Sequence, residues 1–94
     1  MKYRPGNGQM AGIPDLYVAH PRFHGWIEVK WERGKLRPLQ RHRITELHSV
    51  NVPVLVVRGP GGEIEDAEGR VLALLEWDGD IPRQLQKAHK LWTG

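Results

Sequence analysis

There is no cysteine among the 94 residues. That removes disulfides and thiolate metal ligands, and it suits an intracellular protein. No apolar run approaches the about 20 residues needed to span a membrane, and no charged-then-apolar segment of the signal type begins the chain. The expectation is a cytoplasmic protein with no membrane partner. Residues 1–14 contain no Asp or Glu, and their Gly and Pro content reads as an extended arm or loop. The glycines at 59, 61 and 62 are not followed by Gly-Lys-Ser/Thr, so they form a loop and not a phosphate-binding P-loop. His20, His24, His42, His48 and His89 have spacings that fit no compact zinc site. There is no internal repeat and no low-complexity tract.

What is present is a chain of single-domain length, read as one domain over residues 1–94, with Leu, Val, Ile and four Trp for a small core. Net charge is +3, and its distribution carries more information than its sum. Residues 30–43 hold Lys30, Arg33, Lys35, Arg37, Arg41 and Arg43 against one acid, Glu32. Residues 63–80 hold seven acids against one base, Arg70. A localised basic stretch suits a phosphate-bearing partner, although a solvated charged face is an equally common origin.

The order of elements is readable. Residues 15–19 alternate and favour β structure, and Trp26–Trp31 reads as a second strand, so the two form a hairpin around His20–Gly25. Glu32–Lys35 is a loop. Pro38 suits the first turn of a helix running to about Val50, with Gln40, Ile44 and Leu47 on one face. Asn51-Val52-Pro53 stops it, and Val54–Val57 is an apolar strand. Strand, helix and strand at this spacing predict a crossover with a parallel pair. Two readings fit the next segment: a helix over Ala67–Glu76 capped by Asp66, or a strand through Val71–Trp77. Asp80 caps a last helix over Pro82–Trp92. The fold class is therefore α/β, a small mixed sheet built from a β-hairpin and a parallel βαβ crossover, flanked by helices.

Residue types inside the hairpin point to chemistry. Side chains alternate across a strand, so Trp26, Glu28 and Lys30 share one face, leaving Ile27, Val29 and Trp31 on the other to pack on the helix. Asp15, near the start of the first strand, lies opposite the end of the second. Asp15, Glu28 and Lys30 thus converge at one edge of the sheet. Two close carboxylates repel unless a proton or cation sits between them. Oxygen ligands of this kind suit Mg²⁺ or Mn²⁺, with water and phosphate completing the shell. The plain alternative makes Asp15 a turn residue after Pro14, and Glu28 and Lys30 an ion pair on a solvated strand face.

Asp15 followed by Glu28-Val29-Lys30 resembles the PD-(D/E)XK nuclease pattern. The segments "GIPDLYV", "WIEVKWERGKLRPLQ" and "VPVLVV" resemble the virus-type replication-repair nuclease (VRR-NUC) domain over roughly residues 10–58. In that family a glutamine follows the E-x-K strand at the start of the next helix, and Gln40 stands in that place. The resemblance implies a restriction-endonuclease-like core over residues 15–58, with an acidic segment and helix over residues 59–94. It implies that Asp15, Glu28 and the backbone carbonyl of Val29 ligate Mg²⁺, with Mn²⁺ as a substitute. Lys30 would position the attacking water and Gln40 would support the site. The implied reaction is hydrolysis of DNA phosphodiesters. Stand-alone short members are similar to phage-encoded proteins that act in bacterial hosts, as homodimers on branched DNA such as four-way junctions. One departure stands out: members commonly carry a glutamate on a helix before the Pro-Asp turn, and residues 1–14 offer none.

The sequence thus predicts a metal-dependent DNA endonuclease that binds DNA through Lys35, Arg37, Arg41 and Arg43. The alternative is a nucleic-acid-binding module on the same fold that has lost cleavage with the third carboxylate. A homodimer is expected to bury apolar surface of the C-terminal half, with residues 81–92 the candidate. Trp26, Trp31, Trp77 and Trp92 are expected in the core or an interface.

Overall fold

A computed structural model describes residues 12–93. Five strands and two helices follow in the order β1 (Leu16–His20), β2 (Phe23–Trp31), α1 (Pro38–Ser49), β3 (Val54–Gly59), β4 (Glu63–Glu65), β5 (Val71–Leu74) and α2 (Ile81–Thr93). The strands lie in chain order in one mixed sheet. β1 and β2 form an antiparallel hairpin, β2 and β3 run parallel with α1 between them, and β4 and β5 complete the sheet antiparallel.

The continuous Val54–Val57 run is apolar because both sheet faces are covered there, a requirement that replaces alternation with unbroken hydrophobicity. On one face Val54 and Val56 pack with Ile44 of α1 and with Ala67, joined by the half-buried Trp26, Leu36 and Leu47. On the other, Leu55 and Val57 pack with Phe23, Ile27, Ile64, Leu75 and the α2 residues Leu85 and Ala88. Trp92 touches both clusters.

α1 starts at Pro38, whose missing N–H costs nothing in a first turn. Arg37 has only donors to offer, so the helix is closed from within: Gln40 Oε1 accepts the Arg37 N–H at 2.9 Å. α2 starts where expected, with Asp80 Oδ1 accepting the Arg83 N–H at 3.2 Å.

Three expectations are corrected. The hairpin turn is tighter, because β2 begins at Phe23 and leaves only Pro21 and Arg22 between the strands. Of the two readings of residues 67–77 the strand holds, as β5 (Val71–Leu74), and the helix does not; β4 is a further strand before it. Asp66 caps a turn instead, its Oδ1 accepting the N–H groups of Glu68 and Arg70, both at 2.9 Å. This satisfies the backbone that a helix would have needed, and Gly69 at φ +87° completes the bend. Third, α1 covers the face of Trp26, Glu28 and Lys30, and α2 takes the face of Ile27. The expected arm over residues 1–14 lies largely outside the described residues; at its end Ile13 is half-buried and Pro14 buried.

Candidate active site

Asp15 stands just before β1, at the point where the hairpin ladder ends. Leu16 pairs with Ile27, which sets Asp15 beside the Glu28–Val29 stretch of β2. Its Oδ2 accepts the Val29 N–H at 3.0 Å. The carboxylate therefore replaces the next ladder partner, and the exposed side chain is held against the backbone of β2 rather than left in a solvated turn.

Glu28 contradicts the solvated-face reading. Its side chain is only 2% exposed, placing it among the most buried in the chain. The cause is α1, which lies over this face. Gln40 Nε2 donates to Glu28 Oε2 at 3.0 Å. Gln40 Oε1 accepts from Lys30 Nζ at 3.0 Å as well as from the Arg37 amide. Lys30 Nζ lies 3.6 Å from Glu28 Oε2. One buried amide thus ties the helix start, the acid and the ammonium together, and its own polar atoms all have partners.

Glu28 Oε1 is buried with no hydrogen-bond partner. Burial first, and the neighbouring Asp15 charge second, hold this carboxyl above the usual carboxylate range; Lys30 pulls the other way without cancelling them. An orphaned buried oxygen next to a second carboxylate is poised either for a proton or for a cation. A hard cation that keeps several waters needs only one or two protein carboxylates. Asp15, Glu28 and the adjoining Val29 backbone fit such an ion. Among the described residues no group of three or more His, Asp or Glu side chains could hold a metal, so a third acid is not supplied by these residues.

The basic residues divide. Lys35, Arg37 and Arg41 are exposed, on the β2–α1 loop and the first turn of α1 beside Gln40. Arg43 is half-buried and its Nη1 donates to Glu46 Oε1 at 2.9 Å. It is partly committed to its own helix, so the four bases are not equivalent.

Three arrangements escape the sequence reading. Arg58 grips Glu65 through two donors and the β2–α1 loop through a third. His48 and His89, distant in sequence, meet between the helices with ring centroids 6.0 Å apart, and His48 stacks on Trp92 at 3.9 Å. Both Nδ1 atoms are buried without a partner, and burial, with His48 close by, lowers the His89 pKa. Finally, the sheet face opposite the acids carries an apolar groove of about 270 Å³, lined by Leu16, Val29, Trp31, Val57, Trp77 and Leu85 among others. α2 covers only part of that face, leaving Leu16, Trp31 and Trp77 more than half exposed. The signals were in the sequence (an Arg closing an apolar strand, two Trp outside the core pattern), but each pairing needed the fold.

No family model, no curated protein and no solved structure matches this chain.

Proposed function

We propose that this protein is a divalent-metal-dependent endodeoxyribonuclease, of the kind its E-x-K strand and Pro-Asp turn resemble. The observation that carries the reading is the buried, unpartnered Glu28 Oε1 beside Asp15. Gln40 and Lys30 serve Glu28 Oε2 alone, so the fold hides the other carboxylate oxygen at a desolvation cost that they do not fully offset. A bound cation offsets that cost, and an ordinary surface ion pair gives no reason for it.

In this reading Asp15, Glu28 and the Val29 carbonyl hold Mg²⁺ or Mn²⁺. The ion supplies a more acidic bound water and neutralises phosphate charge. Lys30, held in place by Gln40 Oε1, orients the nucleophilic water or stabilises the charge that grows on the phosphate. Gln40 fixes the rotamers of both Glu28 and Lys30 from one helix position. Lys35, Arg37 and Arg41 take the backbone phosphates of the DNA.

The side of α2 that carries Leu85 and Ala88 packs on its own sheet, while Leu91 is exposed and Ile81 and Leu85 line the apolar groove. The proposed homodimer uses the groove. β1 is an edge strand whose residues, Leu16–His20, include no Lys and no Pro, the usual guards against pairing. It borders the groove through Leu16 and Val18. A second copy pairing its own β1 about a twofold axis continues the sheet and brings the two apolar faces side by side. Two cutting sites in fixed relation suit a branched substrate such as a four-way junction.

The non-cleaving binding module is the second reading, favoured by the absence, among the described residues, of a third acid in the site. Labelled single-stranded, duplex, flapped and four-way DNA, incubated with Mg²⁺, Mn²⁺ or chelator, separates them. Metal-dependent scission supports the nuclease. Salt-dependent binding without scission under any metal supports the module.

A further inference from the structure

Arg58 is the one base in a run of β3 that is otherwise apolar, and it stands level with Lys30 in the parallel β2–β3 register. Its guanidinium is almost fully engaged. Nε and Nη2 donate to Glu65 Oε2 and Oε1 at 2.8 and 3.1 Å, a two-pronged fork. Nη1 donates to the carbonyls of Glu32 and Gly34 at 2.8 and 2.5 Å. Glu65 is 8% exposed, so the carboxylate that orients the fork is itself locked in the protein.

The two carbonyls belong to the connection between β2 and α1. That connection is tightly wound: Glu32 adopts φ +50°, its N–H donates to the Gly59 carbonyl, and the Gly34 N–H returns to Trp31. A non-glycine residue with φ in this range is retained only when its surroundings hold it there. Arg58 holds it from one side. Gln40 holds the other end of the same connection through the Arg37 amide. Lys35 and Arg37 are carried between these two anchors.

We propose that Arg58, oriented by Glu65, is a positioning residue for the nucleic-acid surface: it clasps the β2–α1 loop so that Lys35 and Arg37 meet a phosphate backbone already ordered. This rests on the reading of those bases as DNA contacts. Arg58 itself contacts no phosphate, because its charge is matched by Glu65 and its donors are occupied. Three consequences separate a clasp from a direct contact. Loss of the clasp adds an ordering cost to binding without removing a phosphate contact, so affinity falls and the salt slope stays. Lysine does not replace arginine, since one ammonium cannot grip a carboxylate and two carbonyls at once. Neutralising Glu65 acts in the same direction as neutralising Arg58, whereas a direct contact freed from its acid would bind more tightly.

The test uses the full chain with Arg58→Gln, Arg58→Lys, Glu65→Gln and the double variant Arg58→Gln/Glu65→Gln. Folding is checked by circular dichroism; Glu65→Gln retains the shape of the partner and serves if Arg58→Gln does not fold. Expected are an about tenfold weaker Kd for four-way DNA in each single variant, an unchanged salt slope, and a double variant no weaker than the weaker single. Where cleavage is measured, KM rises with Kd and kcat holds. Limited trypsin digestion provides a readout independent of DNA: cutting after Arg33 and Lys35 accelerates in every variant. Equal trypsin rates in wild type and variants overturn the clasp. Tighter binding by Glu65→Gln, or full rescue by Arg58→Lys, overturns it in favour of a direct charge contact. Faster digestion with no DNA binding by the wild type leaves the clasp standing and overturns the nucleic-acid reading beneath it.

Discussion

Gln40 Nε2 donates to Glu28 Oε2 at 3.0 Å, across the gap between helix α1 and strand β2. The same side chain accepts from Lys30 and from the start of its own helix. A residue with that many obligations in a buried place is a structural keystone as well as a site residue. Gln40→Ala leaves Glu28 with neither oxygen satisfied and frees Lys30. The expected cost is about 1–3 kcal/mol, the usual penalty for stranding a buried polar group, read as a lower urea midpoint with an unchanged slope. A midpoint equal to wild type would show that water enters and replaces the amide.

The bases beside this site should differ in what they contribute to DNA binding. Reversing exposed Arg37 and Arg41 to Glu is expected to weaken binding at least tenfold. It should also lower the log–log salt slope by about 2, because each base neutralises one phosphate in the wild-type complex. Arg43→Glu should have a smaller effect on the slope, because Arg43 is paired with Glu46. Filter binding across a salt series reads both. Equal slopes in wild type and the Arg37/Arg41 variant would reduce the basic stretch to a solvated face.

Acid should loosen the junction between the two helices. His89 is half-buried, its buried Nδ1 lacks a partner, and its folded pKa lies below the ordinary value near 6.5. The unfolded chain therefore binds more protons than the folded one just below that pH, so stability rises with pH through the window and falls as pH drops from about 6.5. Chemical melts between about pH 7.5 and 5.5 should show this decline, and His89→Phe should flatten it. An identical pH profile in that variant would place the titration elsewhere.

Assembly is tested at the groove. Trp31 is 62% exposed and its ring lies over Gly59, a position with no side chain to push it away. Leu16→Lys and Trp31→Glu put charge into the proposed twofold interface. Both should shift a dimer to monomer in sedimentation while leaving circular dichroism unchanged. A wild type that sediments as a monomer at micromolar concentration with full activity would rule the interface out.

Much of this arrangement is legible in the sequence. The convergence of Asp15, Glu28 and Lys30 follows from period-two alternation and a short hairpin, and Gln40 from its place one turn into the next helix. The face that α1 covers is not legible. Glu28 and Lys30 look like solvent-facing residues by pattern, so pattern alone puts the covering helix on the apolar side, which α2 occupies. The buried acid breaks the hydrophobic pattern, and pattern reasoning fails where a charged residue is placed inward. β4 escapes a sequence reading because Glu63-Ile64-Glu65 buries both Ile64 and Glu65, the latter made acceptable only by Arg58 seven residues earlier. Long-range pairs of that sort leave no local trace.

The central claim is that Asp15 and Glu28 together hold the ion that cleaves DNA. Burying a neutral amide costs less than burying a carboxylate with one oxygen left without a hydrogen bond, so Glu28→Gln should fold with a melting temperature equal to wild type or higher. The decisive measurement is cleavage of labelled four-way DNA by wild type and Glu28→Gln in Mg²⁺, beside thermal melts with and without the ion. The account predicts scission by wild type only, abolished by chelator, and an Mg²⁺-dependent rise in melting temperature confined to wild type, since only it gains binding energy in the folded state. Wild-type scission in chelator, or undiminished scission by Glu28→Gln, would contradict it.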